Sequence, residues 1–310
     1  MAVFFDIDHL PSFRNAAITV GSFDGVHKGH LAIIKEVVDH AKMTQGESIL
    51  ITFEPHPRKL IKPNLPLGVL TPLIEKIRLI HEAGIQHIVV APFTEIFAYL
   101  SAENYVKEFL VDRFHPHSII VGYDHQFGHN REGNYQLLEQ FAQQYRYQLF
   151  EIPGQLINDA TVSSTKIRNA LKSGRVDIAN AMLGREYALH ATVITGKQLG
   201  RTIGYPTANL QPNDADQLLP SFGVYAVRVR HQHRLFGGML NIGTNPTVET
   251  GNNVRIEVHL FNFSEDIYDQ RIEVRFLKKL RDEVKFPSLD ALKAQLHKDK
   301  LDALDVLGME

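Results

Sequence analysis

The stretch that most constrains how this 310-residue chain can fold is Ala17–Leu31, AITVGSFDGVHKGHL with its leading alanine. The apolar run Ala16–Val20 reads as a buried strand, and Gly21 and Gly25 punctuate it. From His27 onward Leu31, Ile34, Val38 and Ala41 recur at helical spacing, so the turn delivers a helix N-terminus to the end of a strand. The first N–H groups of a helix have no intrahelical partner and the dipole is positive there, which suits phosphate. His27 and His30 are three apart and share one face of the first helical turn, with Gly29 between them, so two imidazoles can reach a phosphate lying over that glycine. An isolated H-x-x-H is more simply a solvated or capping pair; here the strand and the glycines point to a site.

A strand feeding a helix in this way implies further units of the same kind. Ser48–Phe53 is a second apolar strand, stopped at Glu54–Arg58 (EPHPR) by prolines on both sides of His56. A proline- and glycine-rich loop, Lys62–Thr71, precedes a helix at Leu73–Ala83 and a strand at His87–Ala91. Ala102–Phe114 reads as a helix and Ser118–Gly122 as a strand, giving the alternation of a parallel, doubly wound α/β sheet, a Rossmann-like arrangement with ligands at the carboxyl ends of its strands. The loop after the last strand, GYDHQFGHNREGN, carries Asp124, His125 and His129. These lack a partner carboxylate at a metal-ligand spacing, so a loop shaped around a ligand is the better reading than a metal cage. Thr161–Leu171 opens a helix with hydroxyls and carries Lys166 and Arg168, which fits either a second phosphate clamp or a plain N-cap with a solvated basic face. Val176–Leu183 is a further helix ending at Gly184.

Around Gly184 helix–strand alternation gives way to short strands with glycine turns, and the domain boundary falls there, as 1–183 and 184–310. Ala191–Thr195, Phe222–Arg230, Arg234–Leu240, Val254–Phe261 and Arg271–Leu280 read as strands, and Ser288–Leu304 as a helix, the pattern of a small antiparallel β-barrel with a C-terminal helix packed on it. Gly196–Leu210 spaces glycines at 196, 200 and 204 before a proline turn bearing Thr207 and Asn209. It is no Walker A loop, but its backbone can approach phosphates, and the two side chains offer oxygens to a hard cation such as Mg²⁺. In Val254–Phe261 the apolar residues take one face and Arg255, Glu257 and His259 the other. A solvated face is the default for Arg255 and His259; Glu257 gains a role as a proton acceptor if its face lines a pocket.

Composition narrows the class. A net charge of −2 and a pI near 6.8 leave no global basic footprint, which argues against a dedicated nucleic-acid binder. The absence of cysteine excludes disulfides, thiolate metal sites and cysteine nucleophiles. The N-terminus lacks a basic leader and no apolar run approaches a membrane span, so a soluble cytoplasmic protein without a membrane partner is expected.

The motifs together resemble the prokaryotic bifunctional riboflavin kinase/FMN adenylyltransferases (FAD synthetases) over nearly the full length. G-x-F-D-G-V-H-x-G-H at Gly21–His30, T-F-x-P-H-P at Thr52–Pro57, V-G-x-D-x-x-F-G at Val121–Gly128 and S-S-T-x-I-R at Ser163–Arg168 match the adenylyltransferase half in order and spacing. G-x-x-x-G-R-x-x-G-x-P-T-A-N at Gly196–Asn209 and E-x-H-L at Glu257–Leu260 match the kinase half. The resemblance implies that riboflavin and ATP give FMN and ADP, and that FMN and ATP give FAD and diphosphate. It implies catalytic roles for Glu257, as general base, and for His27 and His30. Nucleotide contacts follow at Gly21, Phe23, Asp24, Gly25, Gly29, Ser164, Lys166, Arg168, Gly196, Gly200 and Gly204. Flavin contacts follow at His56, Asp124 and Phe127, and Mg²⁺ ligation at Thr207 and Asn209. The small-molecule partners are then riboflavin, FMN and ATP, with FMN and FAD as intermediate and product, no nucleic acid, and a homo-oligomer left open. The chain departs from the family at Ala191, Thr195 and Asn262, where glycine, histidine and aspartate are common, and at His125, where an aromatic is common. A single-activity enzyme and a flavin- or RNA-binding regulator on the same scaffold are the rivals. The near-neutral charge and the intact Thr207, Asn209 and Glu257 weigh against the regulator.

Overall fold

The computed structural model describes residues 2–61, 68–153, 162–196, 200, 203–244 and 254–309. Most of the Lys62–Thr71 loop, Thr161, and positions 197–199 and 201–202 of the glycine-spaced loop lie outside the described residues. The chain divides into two compact units, Met1–Ser164 and Thr165–Glu310.

The first unit is built on six parallel strands: β1 (Ala2–Phe4), β2 (Ala17–Val20), β3 (Ser48–Glu54), β4 (His87–Pro92), β5 (Ser118–Gly122) and β6 (Gln148–Ile152). Their order is β1-β4-β3-β2-β5-β6. From β2 the chain builds outward through β3 and β4, then returns to lay β5 on the other side. The carboxyl ends of β2 and β5 therefore flank the point where strand order reverses, the usual ligand crevice of an open parallel sheet.

Helices cover both faces, which is why the central strands are apolar without interruption. On one face Ile34, Val37 and Ala41 of α1 (Lys28–Met43) meet Leu50, Ile88 and Ile120 of the sheet, together with Ile80 from α3 (Leu73–Glu82). The short helix α2 (Pro57–Ile61) lies between them in sequence. Leu31, expected in the α1 stripe, is 36% exposed, and Val37 takes the buried position instead. On the opposite face Tyr105, Phe109, Leu110 and Phe114 pack with Leu138 against Ile18, Ile49, Ile51 and Val121. The expected helix over 102–114 is present, with a π-helical middle at Tyr105–Val111.

The second unit is a closed antiparallel barrel in the order β10-β11-β8-β7-β12-β9. Its strands are β7 (Tyr187–Ile194), β8 (Ala208–Pro212), β9 (Gly223–His231), β10 (Arg234–Thr244), β11 (Val254–Leu260) and β12 (Arg271–Arg281). Tyr225 and Phe276 meet edge to face at 5.4 Å among its fully buried side chains. The Leu289–Leu307 helix is capped by Ser288 and lays Ala303, Leu304 and Leu307 on Val224, Ala226, Met239 and Phe261. Arg281 fixes that helix by pairing bidentately with the buried Asp299 carboxylate at 2.8 and 2.7 Å. The Val176–Leu183 helix also belongs to this unit, with Asn180 donating to the Phe276 carbonyl and accepting from the Tyr187 amide.

Candidate active sites

In the first unit, the turn after β2 is held in an unusual backbone conformation. Phe23 and Val26 adopt φ of 46° and 38°, and Gly25 adopts 93°. A β-branched residue at positive φ is costly, so neighbouring contacts must impose it. Those contacts are visible. The Asp24 carboxylate accepts from the amides of Leu70 (3.0 and 3.1 Å) and Thr71 (3.0 Å), and the Asp24 carbonyl accepts from the Ser164 hydroxyl at 2.9 Å. Thr52 Oγ1 donates to the Ser22 carbonyl at 3.1 Å, and Lys76 donates to both of these oxygens. Asp24, expected at the nucleotide, is 1% exposed with its carboxylate turned onto the 70–71 backbone, so here it shapes the turn.

His27 is the N-cap of α1, one position outside the first helical turn where the sequence spacing put it. Its Nδ1 accepts from the His30 amide at 3.3 Å, which places the proton of a neutral ring on Nε2 and makes that atom the donor. The cap satisfies the third helical amide; those of Lys28 and Gly29, at the first two positions, have no intrahelical acceptor. The His27 and His30 rings stack at 3.6 Å, and His30 leans on Phe23 at 5.0 Å. Gly21 brings its Cα close to the same Phe23 ring. The result is two stacked imidazoles over a helix N-terminus at the switch point of the sheet, an arrangement able to hold phosphate oxygens.

The other expected residues of this unit fall into place unevenly. His56 is buried at the end of β3, where its Nδ1 accepts from the Arg58 amide at 3.1 Å. Asp124 is exposed in the turn after β5, at the second strand end of the switch point. Phe127 lies in the core: its ring stacks on Tyr105 at 4.9 Å and fills the space where a Gly133 side chain would be. His125 packs on Phe127 at 5.6 Å as an aromatic would, and burial pushes its imidazole down to about 4, so it is neutral. Among the described residues no group of three or more His, Asp or Glu could hold a metal.

Ser164 opens the helix Ser164–Lys172, and beyond it Lys166 is exposed while Arg168 is buried. Residues two apart on a helix face different ways, so the pair does not present one basic face.

In the second unit, β11 sits between β8 and β10. Glu257 is directly opposite Asn209 on one side and Asn241 on the other, giving the row Asn241–Glu257–Asn209 across three strands. Glu257 is ion-paired with Arg255, two residues back on the same face. His259, next on that face, donates from Nδ1 to the Pro206 carbonyl at 2.7 Å and has Tyr205 against its ring, which ties the proline turn carrying Thr207 to β11. Burial holds the His259 imidazole below its usual range. Arg255, its side chain 37% exposed, keeps the solvated character that sequence favoured while pairing with Glu257, whereas His259 is tied to the Pro206 carbonyl.

The glycines ahead of that turn have specific neighbours. A Cβ on Gly196 would lie 1.9 Å from the Asn209 amide nitrogen, and one on Gly200 would lie 2.2 Å from the Tyr205 carbonyl and 3.3 Å from the Thr207 hydroxyl. They make room for the oxygen-bearing side chains, while Gly204 supplies a φ of 86°. Asn262, where the family often has aspartate, takes φ of 54°, a conformation both residues tolerate.

Sequence reasoning missed Asn241, Thr52 and Lys76. Extending the period-two reading of Arg234–Leu240 to the observed Thr244 would have placed Asn241 in the strand, but its position beside Glu257 comes from the strand register. A lysine falling on the Leu73–Ile77–Ile80 stripe of α3 was the signal for Lys76.

Comparison with known proteins agrees with this division. The family described as FAD synthetase matches residues 10–166, and that described as riboflavin kinase matches 183–307. A bifunctional riboflavin kinase/FMN adenylyltransferase of Escherichia coli (strain K12) is 36% identical over 297 residues, covering 96% of this chain and 94% of its own. The proteins so described from Haemophilus influenzae (36%, 92% of each chain) and Listeria monocytogenes (36%, 93% and 91%) are similar. A solved Streptococcus pneumoniae structure, described as a macrolide-efflux protein, superposes with a TM-score of 0.86 at 28% identity, covering 97% of this chain and 98% of that one. Among the described residues of the present chain no helix is long and apolar enough to cross a membrane.

Proposed function

The chain belongs to the bifunctional riboflavin kinase/FMN adenylyltransferase family, and on that premise we propose which of its residues carry each reaction. It converts riboflavin and ATP to FMN and ADP, then FMN and ATP to FAD and diphosphate. The observation that carries the residue assignment is that the stacked His27–His30 pair and the Asn241–Glu257–Asn209 row lie in different compact units. We keep the functional boundary at Leu183/Gly184, a reading supported by the riboflavin kinase match over 183–307, although the compact units divide at Ser164/Thr165.

In adenylyl transfer an FMN phosphate oxygen attacks the α-phosphorus of ATP; the new O–P bond forms as the bond to the β-phosphate breaks and diphosphate leaves. The nucleophile is already anionic, so no general base is needed. The His27 Nε2–H, the His30 ring and the amides of Lys28 and Gly29 donate to phosphate oxygens as charge shifts toward the leaving group. The turn Gly21, Phe23, Asp24, Gly25 and Gly29 shapes that cradle, and Ser164 supports it by donating to the Asp24 carbonyl; Lys166 and Arg168, the other expected phosphate contacts, fall in the second compact unit. His56, Asp124 and Phe127 form or support the flavin end.

In the kinase the primary ribityl hydroxyl attacks the γ-phosphorus of ATP and ADP leaves. Glu257 accepts the hydroxyl proton, its ion pair with Arg255 leaving further carboxylate lone pairs for that contact. Gly196, Gly200 and Gly204 place the nucleotide loop. The neutral oxygens of Thr207 and Asn209, with no protein carboxylate cage among the described residues, fit an ion held largely by substrate phosphates and water, as Mg²⁺ is. An Mg²⁺ ion held by Thr207 and Asn209 would offset the charge on the ATP phosphates. Both reactions draw on the ATP of the cytoplasm, where we place the enzyme.

The test is to measure the two products separately. Glu257→Gln lowers FMN formation by about 10²–10⁴-fold and spares FAD formation from supplied FMN; His30→Ala does the reverse. Equal loss of both activities in either folded variant overturns the assignment.

A further inference from the structure

Lys76 is 4% exposed, yet its side chain ends in an ionisable amine. Its Nζ donates to the Ser22 carbonyl at 3.2 Å and to Thr52 Oγ1 at 3.0 Å, and no carboxylate among the described residues lies at ion-pair distance from it. A buried ammonium held only by neutral oxygens is costly, and apolar residues of similar size are usually as stable or more so in such places. The other charges that face it are those of Asp24, which is committed to the amides of residues 70 and 71, and Glu54 at the end of β3. Desolvation moves its pKa below the ordinary lysine range despite both carboxylates.

The oxygens it holds lie at the hinge of the site. Ser22 begins the turn whose positive φ values at Phe23 and Val26 deliver His27 to the head of α1, and Thr52 is the penultimate core position of the neighbouring strand β3. Thr52 Oγ1 itself donates to the Ser22 carbonyl, so lysine, threonine and carbonyl close a triangle that ties α3, β3 and the turn together. We propose that Lys76 is a positioning residue for adenylyl transfer: its ammonium fixes the Ser22–Asp24 turn through the Ser22 carbonyl and Thr52, and so holds that turn in the form that receives the polyphosphate of a nucleoside triphosphate. This rests on the assignment of adenylyl transfer to the His27–His30 turn.

The test uses the full chain with Lys76→Met, Thr52→Val and, in parallel, His30→Ala. FAD formation from FMN and ATP is followed as kcat and KM from neutral to alkaline pH, with FMN formation and thermal melting measured on the same preparations. The protonated lysine is the competent form, so wild-type FAD formation falls as pH rises through its lowered pKa. Lys76→Met is expected to keep or raise the melting temperature and to lower kcat for FAD by about 10–100-fold, with a smaller change in KM. It should leave FMN formation within about twofold and lose the alkaline limb. Thr52→Val, which removes an acceptor that favours the charged amine, moves that limb to lower pH. A Lys76→Met enzyme with wild-type kcat for FAD, or one that retains the limb, overturns the proposal. If that variant does not fold, an unmoved limb in Thr52→Val overturns it. His30→Ala separates the two ideas: if it spares FAD formation the site assignment fails, whereas its loss alongside full activity in Lys76→Met sinks the lysine alone.

Discussion

Asp24 offers a way to weigh scaffold against chemistry in the first unit. Its carboxylate is buried and accepts three hydrogen bonds from two amides, Leu70 and Thr71, whose residues are 2% and 4% exposed. Asp24→Ala leaves both amides buried without that partner, at about 1–3 kcal/mol each, or roughly 2–6 kcal/mol in all. Asp24→Asn keeps Oδ1, which already reaches both amides at 3.0 Å, and loses the second oxygen and the charge, so it costs about 1–2 kcal/mol. In a unit of this size each kcal/mol lowers the midpoint by about 2–4 °C, giving roughly 2–8 °C for asparagine and 4–24 °C for alanine. The assay is residual activity after stepwise heating, scored separately for the two products, because it reports on each site without assuming that the whole chain melts in one step. FAD formation should be lost at a lower temperature in the order wild type, Asn, Ala, while the temperature for loss of FMN formation stays put. An alanine variant whose FAD formation is lowered before heating, with an unchanged inactivation temperature for the activity that remains, would refute the scaffold argument and return Asp24 to the nucleotide.

Two further substitutions probe the barrel. Asp299→Ala strips Arg281 of its buried bidentate partner, which costs about 3–5 kcal/mol and loosens the Leu289–Leu307 helix; urea unfolding monitored with FMN formation should show both effects, and FAD formation from supplied FMN should persist. His259→Phe removes the donor to the Pro206 carbonyl and should raise KM for ATP in FMN formation by about tenfold, whereas His259→Asn, which can still donate there, stays within about threefold. Equal KM values for the two variants would mean that the bond does not position the Thr207 turn.

The architecture was legible where an apolar run or a clean apolar period marks the element. β5 and the Val176–Leu183 helix match their expected limits, and the parallel sheet and the barrel follow from the alternation. What escaped has local causes. β1 is only three residues long, and β8 (ANLQP) carries two amide side chains and a proline in its five residues, so no apolar run marks it. The helix Tyr135–Tyr145 follows a loop rich in polar residues, and its only marker was Asn134, whose side chain accepts from the Leu137 amide as an N-cap. Strand order is not written in any one segment, so the placing of the β2 and β5 ends at the switch point had to come from the structure.

The sites show a more general limit, because periodicity names the face a residue occupies and not what lies over it. Arg255 and His259 share the Glu257 face, and a solvated reading served both until the Pro206 contact set His259 apart. Lys76 reverses the case: the α3 stripe placed it inward, but the oxygens of Ser22 and Thr52 and the nearby carboxylates of Asp24 and Glu54, which make an amine tolerable there, come from other segments. The glycines of the kinase loop carry the point further. Their spacing suggests a backbone cleared for phosphate, yet a side chain at 196 or 200 would strike Asn209, or Tyr205 and Thr207, before it met any ligand. The same glycines therefore act one step earlier than the motif implies, leaving room for the Asn209 and Thr207 side chains that we propose as the metal ligands. A substitution there would report first on Mg²⁺ dependence and only through it on ATP.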